Sequence, residues 1–255
     1  MEHGKTSRPF SAAGAGELRI VGTPASRSEA IARVAEVAAL AGSAPVSGFL
    51  LSDMEALAAR ERVTLRALLE ELCAAGLEIV ADAPYDQLQD PRRSIEEVNI
   101  AGLSLGRLTF HQLPVADMLS VLKEIAALQR AVGVVRAFAP LPRKMNPAAP
   151  TTGYDDVKRI ALARLVVDNV PSIQVDWSLY GPKLAQVALT VGADDLDSVS
   201  VDDDSGEGRR RTPLQDVLRN IRAAGFEPVE RNGRFEPLER PSAETRSGLN
   251  NAEGR

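Results

Sequence analysis

The 255 residues contain one cysteine, Cys73, so no disulfide can form within the chain. Aromatic residues make up only 4%, which argues against stacking platforms for nucleic-acid bases. A formal net charge of −5 and a pI near 5.3 argue equally against a nucleic-acid or anionic-membrane surface. No run approaches the roughly 18–20 uncharged apolar residues of a membrane span. Even the greasiest stretch, IALARLVV, carries Arg164. The opening MEHGKTSRPFSAAGAGELRI has no apolar core of signal-peptide length. A cytoplasmic protein is expected. No Gly-x-Gly-x-x-Gly follows a strand-like run, and there is no Walker A motif, Gly-x-Ser-x-Gly or His-Glu-x-x-His.

What is present is ordinary globular material, 44% hydrophobic and 25% charged. Residues 1–16 read as a flexible arm, 17–236 as a single domain, and 237–255 as a tail with little to bury. Strand-like and helix-like runs alternate between them. LRIVG (18–22), VSGFLL (46–51), LEIVAD (77–82), LSLGRLTFH (103–111), VVRAFAPL (134–141), SIQVDW (172–177) and DLDSVSV (195–201) read as strands. Helices are predicted over 26–42, 64–76, 114–133, 153–169, from Gly181 to Gly192, and over 212–225. Thr64, Pro114 and Pro182 stand at starts, and Gly42, Gly76 and Gly192 at stops. A mostly parallel sheet with right-handed crossovers follows. About seven strands suit either an open doubly wound sheet or a (β/α) barrel one strand short of eight.

Several polar residues are candidate ligand contacts. His111 ends a strand, where barrel sites collect; the other reading is a histidine bonded to a neighbouring backbone group at a strand end. In SIQVDWS, Gln174 and Asp176 alternate with apolar residues, so one face of that strand meets either a wet lumen or solvent. Gly181-Pro182-Lys183 opens a helix whose free N–H groups and Lys183 could hold an anion, or is plain helix punctuation. Asp202, Asp203 and Asp204 could hold Mg²⁺ or Ca²⁺; SGEGRRR follows at once, which also fits a self-neutralising loop. Trp177 and Cys73 read as core.

One string is specific. TTGYDDVKRIALARLVVDNVPSIQVDW followed by LYGPKLAQVALTVGADDLD resembles the C-terminal half of the radical-SAM enzymes of menaquinone synthesis by the futalosine route, aminofutalosine synthase and dehypoxanthine futalosine cyclase. Fainter likeness runs upstream: LRIVG, TLRALLEELCAAGLE, FAPLP, and LTFHQL, which places His111 on the family's Gly-His-x-Glu. The resemblance implies a (β/α) TIM-barrel-like fold. The family uses a 4Fe–4S cluster and S-adenosylmethionine, and the cluster needs three cysteine thiolates. With one cysteine, no such cofactor is expected from this chain. ADAPYD (81–86) stands where the family has Gly-Gly-Gly-Ala-Glu, and Leu113 where it has glutamate. The expectation is an incomplete barrel, truncated at its N-terminal side. It would serve as a ligand-binding or accessory protein, as a homodimer or paired with a cluster-bearing enzyme of the pathway. The alternatives are a non-radical enzyme using the barrel pocket and an inactive paralogue.

Overall fold

The computed structural model describes residues 15–112, 117–144, 151–199 and 213–238. Asp202, Asp203 and Asp204 lie outside these residues, as does most of the expected arm and tail. The elements run β1 (Leu18–Ile20), α1 (Arg27–Ala41), β2 (Val46–Leu50), α2 (Leu51–Glu61), α3 (Leu65–Ala74), β3 (Ile79–Pro84), α4 (Pro91–Ile100), β4 (Ser104–Phe110), α5 (Met118–Val132), β5 (Val135–Pro142), α6 (Gly153–Val166), β6 (Ser172–Asp176), α7 (Trp177–Thr190), β7 (Asp195–Asp197) and α8 (Pro213–Ala223). Side-chain caps begin many of the helices. Ser26, Thr64, Asp90 and Asp176 each accept a backbone N–H of the first turn, and Thr152 and Asp155 form a reciprocal capping box.

All seven strands are parallel and paired in sequence order, β1 through β7. The sheet is curled. Arg107 on β4 bonds Asp197 on β7, although three strand spacings on a flat sheet would separate them by about 14 Å, beyond the reach of one arginine. The result is a half-barrel with helices around it. The main apolar core includes Leu68, Leu69 and Leu72 of α3, Ile95 and Val98 of α4, and Phe110 and Phe138 of β4 and β5, all fully buried. A smaller cluster joins Trp177 and Ala185 of α7 to Val217 of α8. No helix among the described residues is long and apolar enough to cross a membrane.

Two helices are additional to the expected order. α2 follows β2 without a loop, so its first leucine reads as the end of the strand. α4 carries few apolar residues among its charges. The helix expected from Gly181 is the second part of α7. A turn of helix, 177–180, precedes it, and Gly181 at φ 75° breaks the two apart before Pro182.

Among the described residues the sheet has seven strands and no eighth, yet its N-terminal mouth is bridged. Residues 231–238 fold into a strap closed by an Arg231–Pro237 bridge. Arg231 pairs with Asp195 at the start of β7. Gly233 N–H donates to Gly16 O just before β1, and Arg234 pairs with Glu78 just before β3. A side chain at Gly233 would strike Glu17, its Cβ falling 2.9 Å from that residue's Cγ. The strap therefore spans from the last strand to the first three at one end of the sheet.

Candidate functional site

The half-barrel interior is filled by a charged network. Arg107 is 3% exposed. Its Nε donates to Asp82 Oδ1 on β3 at 2.5 Å, and its Nη1 donates to Gln174 Oε1 on β6 at 3.0 Å and Asp197 Oδ2 on β7 at 2.5 Å. Gln174 Nε2 passes the chain to Asp195, which Arg231 grips with both arms at 3.0 and 2.5 Å. Arg143, following β5, reaches Asp82 at 3.3 Å. Burial works against the charge on Arg107, but the adjacent Asp82 and Asp197 outweigh it and hold the guanidinium pKa above its ordinary value. Burial likewise opposes the charge on Asp197, and Arg107, Arg19 and Arg231 overcome it, keeping the carboxyl below its usual range. Arg107 and Asp197 thus favour each other's charged form.

Little space remains. At the C-terminal ends of β4, β5 and β6 the residual cavity is about 10 Å³, edged by Arg107, Thr109, Arg143, Gln174, Asp176 and Tyr180. That is room for about one water. Tyr180 Oη donates to Pro142 O at 2.6 Å. Its burial, and then the charge of Asp156, push the phenol pKa well up, so it remains a neutral donor.

The candidates from sequence meet only in part. Gln174 and Asp176 line the same small cavity. Gln174 is 2% exposed and fully engaged. Asp176 is the N-cap of α7, accepting from Leu179 N and Ser178 Oγ at 2.9 Å and from Ser198 Oγ at 2.8 Å. His111 follows β4, where its N–H donates to Asp86 at 2.6 Å and its carbonyl accepts from Lys144 N at 3.1 Å. Lys183 is exposed on α7 and does not edge the cavity. The organising residues, Asp82, Arg107, Asp195, Asp197 and Arg231, are not among the sequence candidates. A signal for two of them was present: IVADAP (79–84) and LSLGRLTF are apolar runs that each carry one charge, Asp82 and Arg107, of opposite sign. Such lone charges in neighbouring buried strands of a parallel sheet need one another.

The resembled family's 4Fe–4S cluster does not fit the donors here. Its iron needs several soft thiolates. Cys73 lies on α3, half-buried against the core, on the N-terminal side of the sheet beside Gly76 and Glu78. The mouth where barrel sites are built is the opposite end. Among the described residues no three His, Cys, Asp or Glu side chains are grouped to hold a metal ion. The loop after β1 runs straight into α1 and is tied down by Thr23, whose hydroxyl donates to Asp53 at 2.6 Å.

Comparisons agree with this architecture and sharpen it. Residues 139–244 match the family model described as the CofH/MqnC C-terminal region. Aminodeoxyfutalosine synthase of Streptomyces coelicolor is 45% identical over 94 residues, 34% of this chain and 24% of that protein. Cyclic dehypoxanthine futalosine synthase of the same organism is 27% identical over 213 residues, 73% of this chain and 53% of that protein. The chain thus spans about half the length of such relatives, or less. Among solved structures, methylornithine synthase superposes with a TM-score of 0.53 at 14% identity, over 78% of this chain and 63% of that one, a likeness of fold. The chain is thus similar to the futalosine-pathway radical-SAM enzymes, its residues 139–244 matching the C-terminal region of that group, and its 255 residues include a single cysteine.

Proposed function

We propose that this chain is a non-radical member of the futalosine-route proteins, acting as a ligand-binding or accessory protein linked to menaquinone synthesis. The observation that carries the reading is the interior itself. Where a radical enzyme of this fold needs an open chamber and three thiolates, this half-barrel holds Arg107 locked to Asp82, Gln174 and Asp197, with about 10 Å³ left over. The rim that remains for a ligand carries the exposed Arg143 beside the half-buried Asp176 and Tyr180, with His111 at the neighbouring strand end. Lys183 and the aspartates 202 and 203 stay candidate contacts on the same reading. The accessory role draws on the sheet edges. Among the described residues β1 and β7 each pair on one side only, and an unpaired edge invites a partner. The partner is a second copy or a cluster-bearing enzyme such as aminodeoxyfutalosine synthase.

Anaerobic iron–sulfur reconstitution tests the first half. The expected result is no stoichiometric iron, no cluster signal by electron paramagnetic resonance, and no heat with S-adenosylmethionine. A stoichiometric cluster would sink the non-radical reading. Sedimentation of the protein alone and with a cluster-bearing aminodeoxyfutalosine synthase tests the second half. A strict monomer that ignores the enzyme would end the accessory role.

A further inference from the structure

A second space lies away from the C-terminal mouth. A cleft of about 530 Å³ opens on the N-terminal side of the sheet, between the ends of α3 and α4 and the strap. That volume lies within the range of small-molecule sites.

Its polar lining is unevenly paired. Arg234 on one wall is neutralised by Glu78, with two hydrogen bonds of 3.0 Å. Glu236 is engaged by Asn232 Nδ2 at 2.8 Å. Arg136, near the start of β5, has no such partner. Its Nη2 donates to Ser104 Oγ at 3.2 Å, and no carboxylate among the described residues lies within ion-pair distance of it. Glu78 is thus neutralised, Glu236 is hydrogen-bonded by a neutral amide, and Arg136 lines the cleft with its guanidinium bonded to a hydroxyl and to no carboxylate among the described residues. Gly102 contributes no side chain, and a Cβ there would meet nothing within 4 Å. A ligand can therefore approach the backbone between Arg136 and Cys73.

We infer that this cleft is a binding site for a small oxyanion-bearing molecule, a carboxylate or phosphate held by the Arg136 guanidinium and the Ser104 hydroxyl. A planar guanidinium takes such groups with two parallel N–H donors. The inference is independent of the cluster question and of the C-terminal mouth.

Cys73 lines the same cleft and is the only thiol in the chain, so its alkylation reports occupancy without ambiguity. Iodoacetamide labelling, followed by intact mass, is measured with inorganic phosphate, with benzoate, and with potassium chloride at matched ionic strength. At an anion concentration about four times its Kd, the wild-type rate falls about fivefold, and Arg136→Ala abolishes the protection. Arg136 is exposed, so this variant keeps the fold, which circular dichroism checks. Calorimetry with the same two anions provides the second readout, and it decides alone where Cys73 labels too slowly to follow. Protection by phosphate only or benzoate only assigns the class. No protection and no binding heat with either anion overturns the site, as does protection that persists in Arg136→Ala.

Discussion

Asp156 and Asp197 are both largely buried carboxyls, with side chains 7% and 25% exposed, and their surroundings drive them in opposite directions. Asp156 Oδ1 has no hydrogen-bond partner, and Arg159 Nη1 stands 3.6 Å away without one. Burial dominates there and raises the pKa, with a Thr151 hydrogen bond and the charge of Arg159 opposing it. At Asp197 burial pushes the same way, but Arg107 and two further arginines win and lower the pKa. Linkage fixes the consequences. A raised folded-state pKa contributes stability below the unfolded value, lost as pH climbs through the folded one. The ionised Asp156 is therefore a penalty at neutral pH. A lowered pKa contributes stability above the unfolded value, lost as pH falls through the folded one. Asp156→Asn is expected to raise stability at pH 7 and leave it nearly unchanged at pH 3. Asp197→Asn is expected to lower it at pH 7, the loss shrinking towards pH 3. Urea midpoints followed by the fluorescence of Trp177, the single tryptophan, measure both. Parallel pH profiles for the two variants would mean that the surroundings do not separate these groups.

Among the elements, the strap contributes through one residue far more than the other. Arg231 clamps Asp195, whose side chain is 13% exposed, and stacks on the Phe235 ring at 3.7 Å. Removing it leaves a buried carboxylate with only Gln174, so Arg231→Ala is expected to cost about 3–5 kcal/mol. Arg234 and Glu78 are 39% and 42% exposed, and Arg234→Ala is expected to cost less than about 1 kcal/mol. Equal losses in urea unfolding would show that the strap acts as a general cover and not through the Asp195 clamp. None of this was legible in ERNGRFEPL, which has neither helical nor strand periodicity and is placed by long-range charge pairs. The strands were legible because parallel strands buried on both faces are apolar runs cut by Gly, Pro and Asp. α2 was hidden because it begins at Leu51 with no intervening turn, and α4 because Ser94, Ile95 and Val98 are its only buried residues. Of the site, Gln174 and Asp176 were found through alternation along β6. Arg107 was missed because periodicity treats an isolated charge as noise, while the curl of the sheet makes it the centre.

Across the whole molecule, Arg107 does what barrel closure does elsewhere. A closed eight-stranded barrel holds its shape by pairing its last strand to its first. Here, among the described residues, β1 and β7 are unpaired on their outer sides, and curvature must come from within. The guanidinium draws β3, β4, β6 and β7 towards one point across β5, and the strap fixes the N-terminal end of the same curve. Arg107→Met keeps the bulk and removes the ion. It leaves Asp197 without its closest cation and Asp82 with only Arg143 at 3.3 Å. The expected loss is about 3–5 kcal/mol. Amide exchange should then show β6 and β7 opening at lower free energy than β3 and β4, because the tie between the two halves is gone. The triple variant Arg107→Met, Asp82→Leu, Asp197→Leu separates charge from shape. A buried ion set replaced entirely by apolar residues of similar size is often neutral or stabilising, whereas one broken by removing a single partner is not. Recovery of most of the lost stability in the triple variant, with even exchange across the sheet, would show that any well-packed interior maintains the curl. Recovery of stability with β6 and β7 still opening early would show that the directed bonds of Arg107 set the curvature itself. A single variant as stable as the parent would remove the network from both roles.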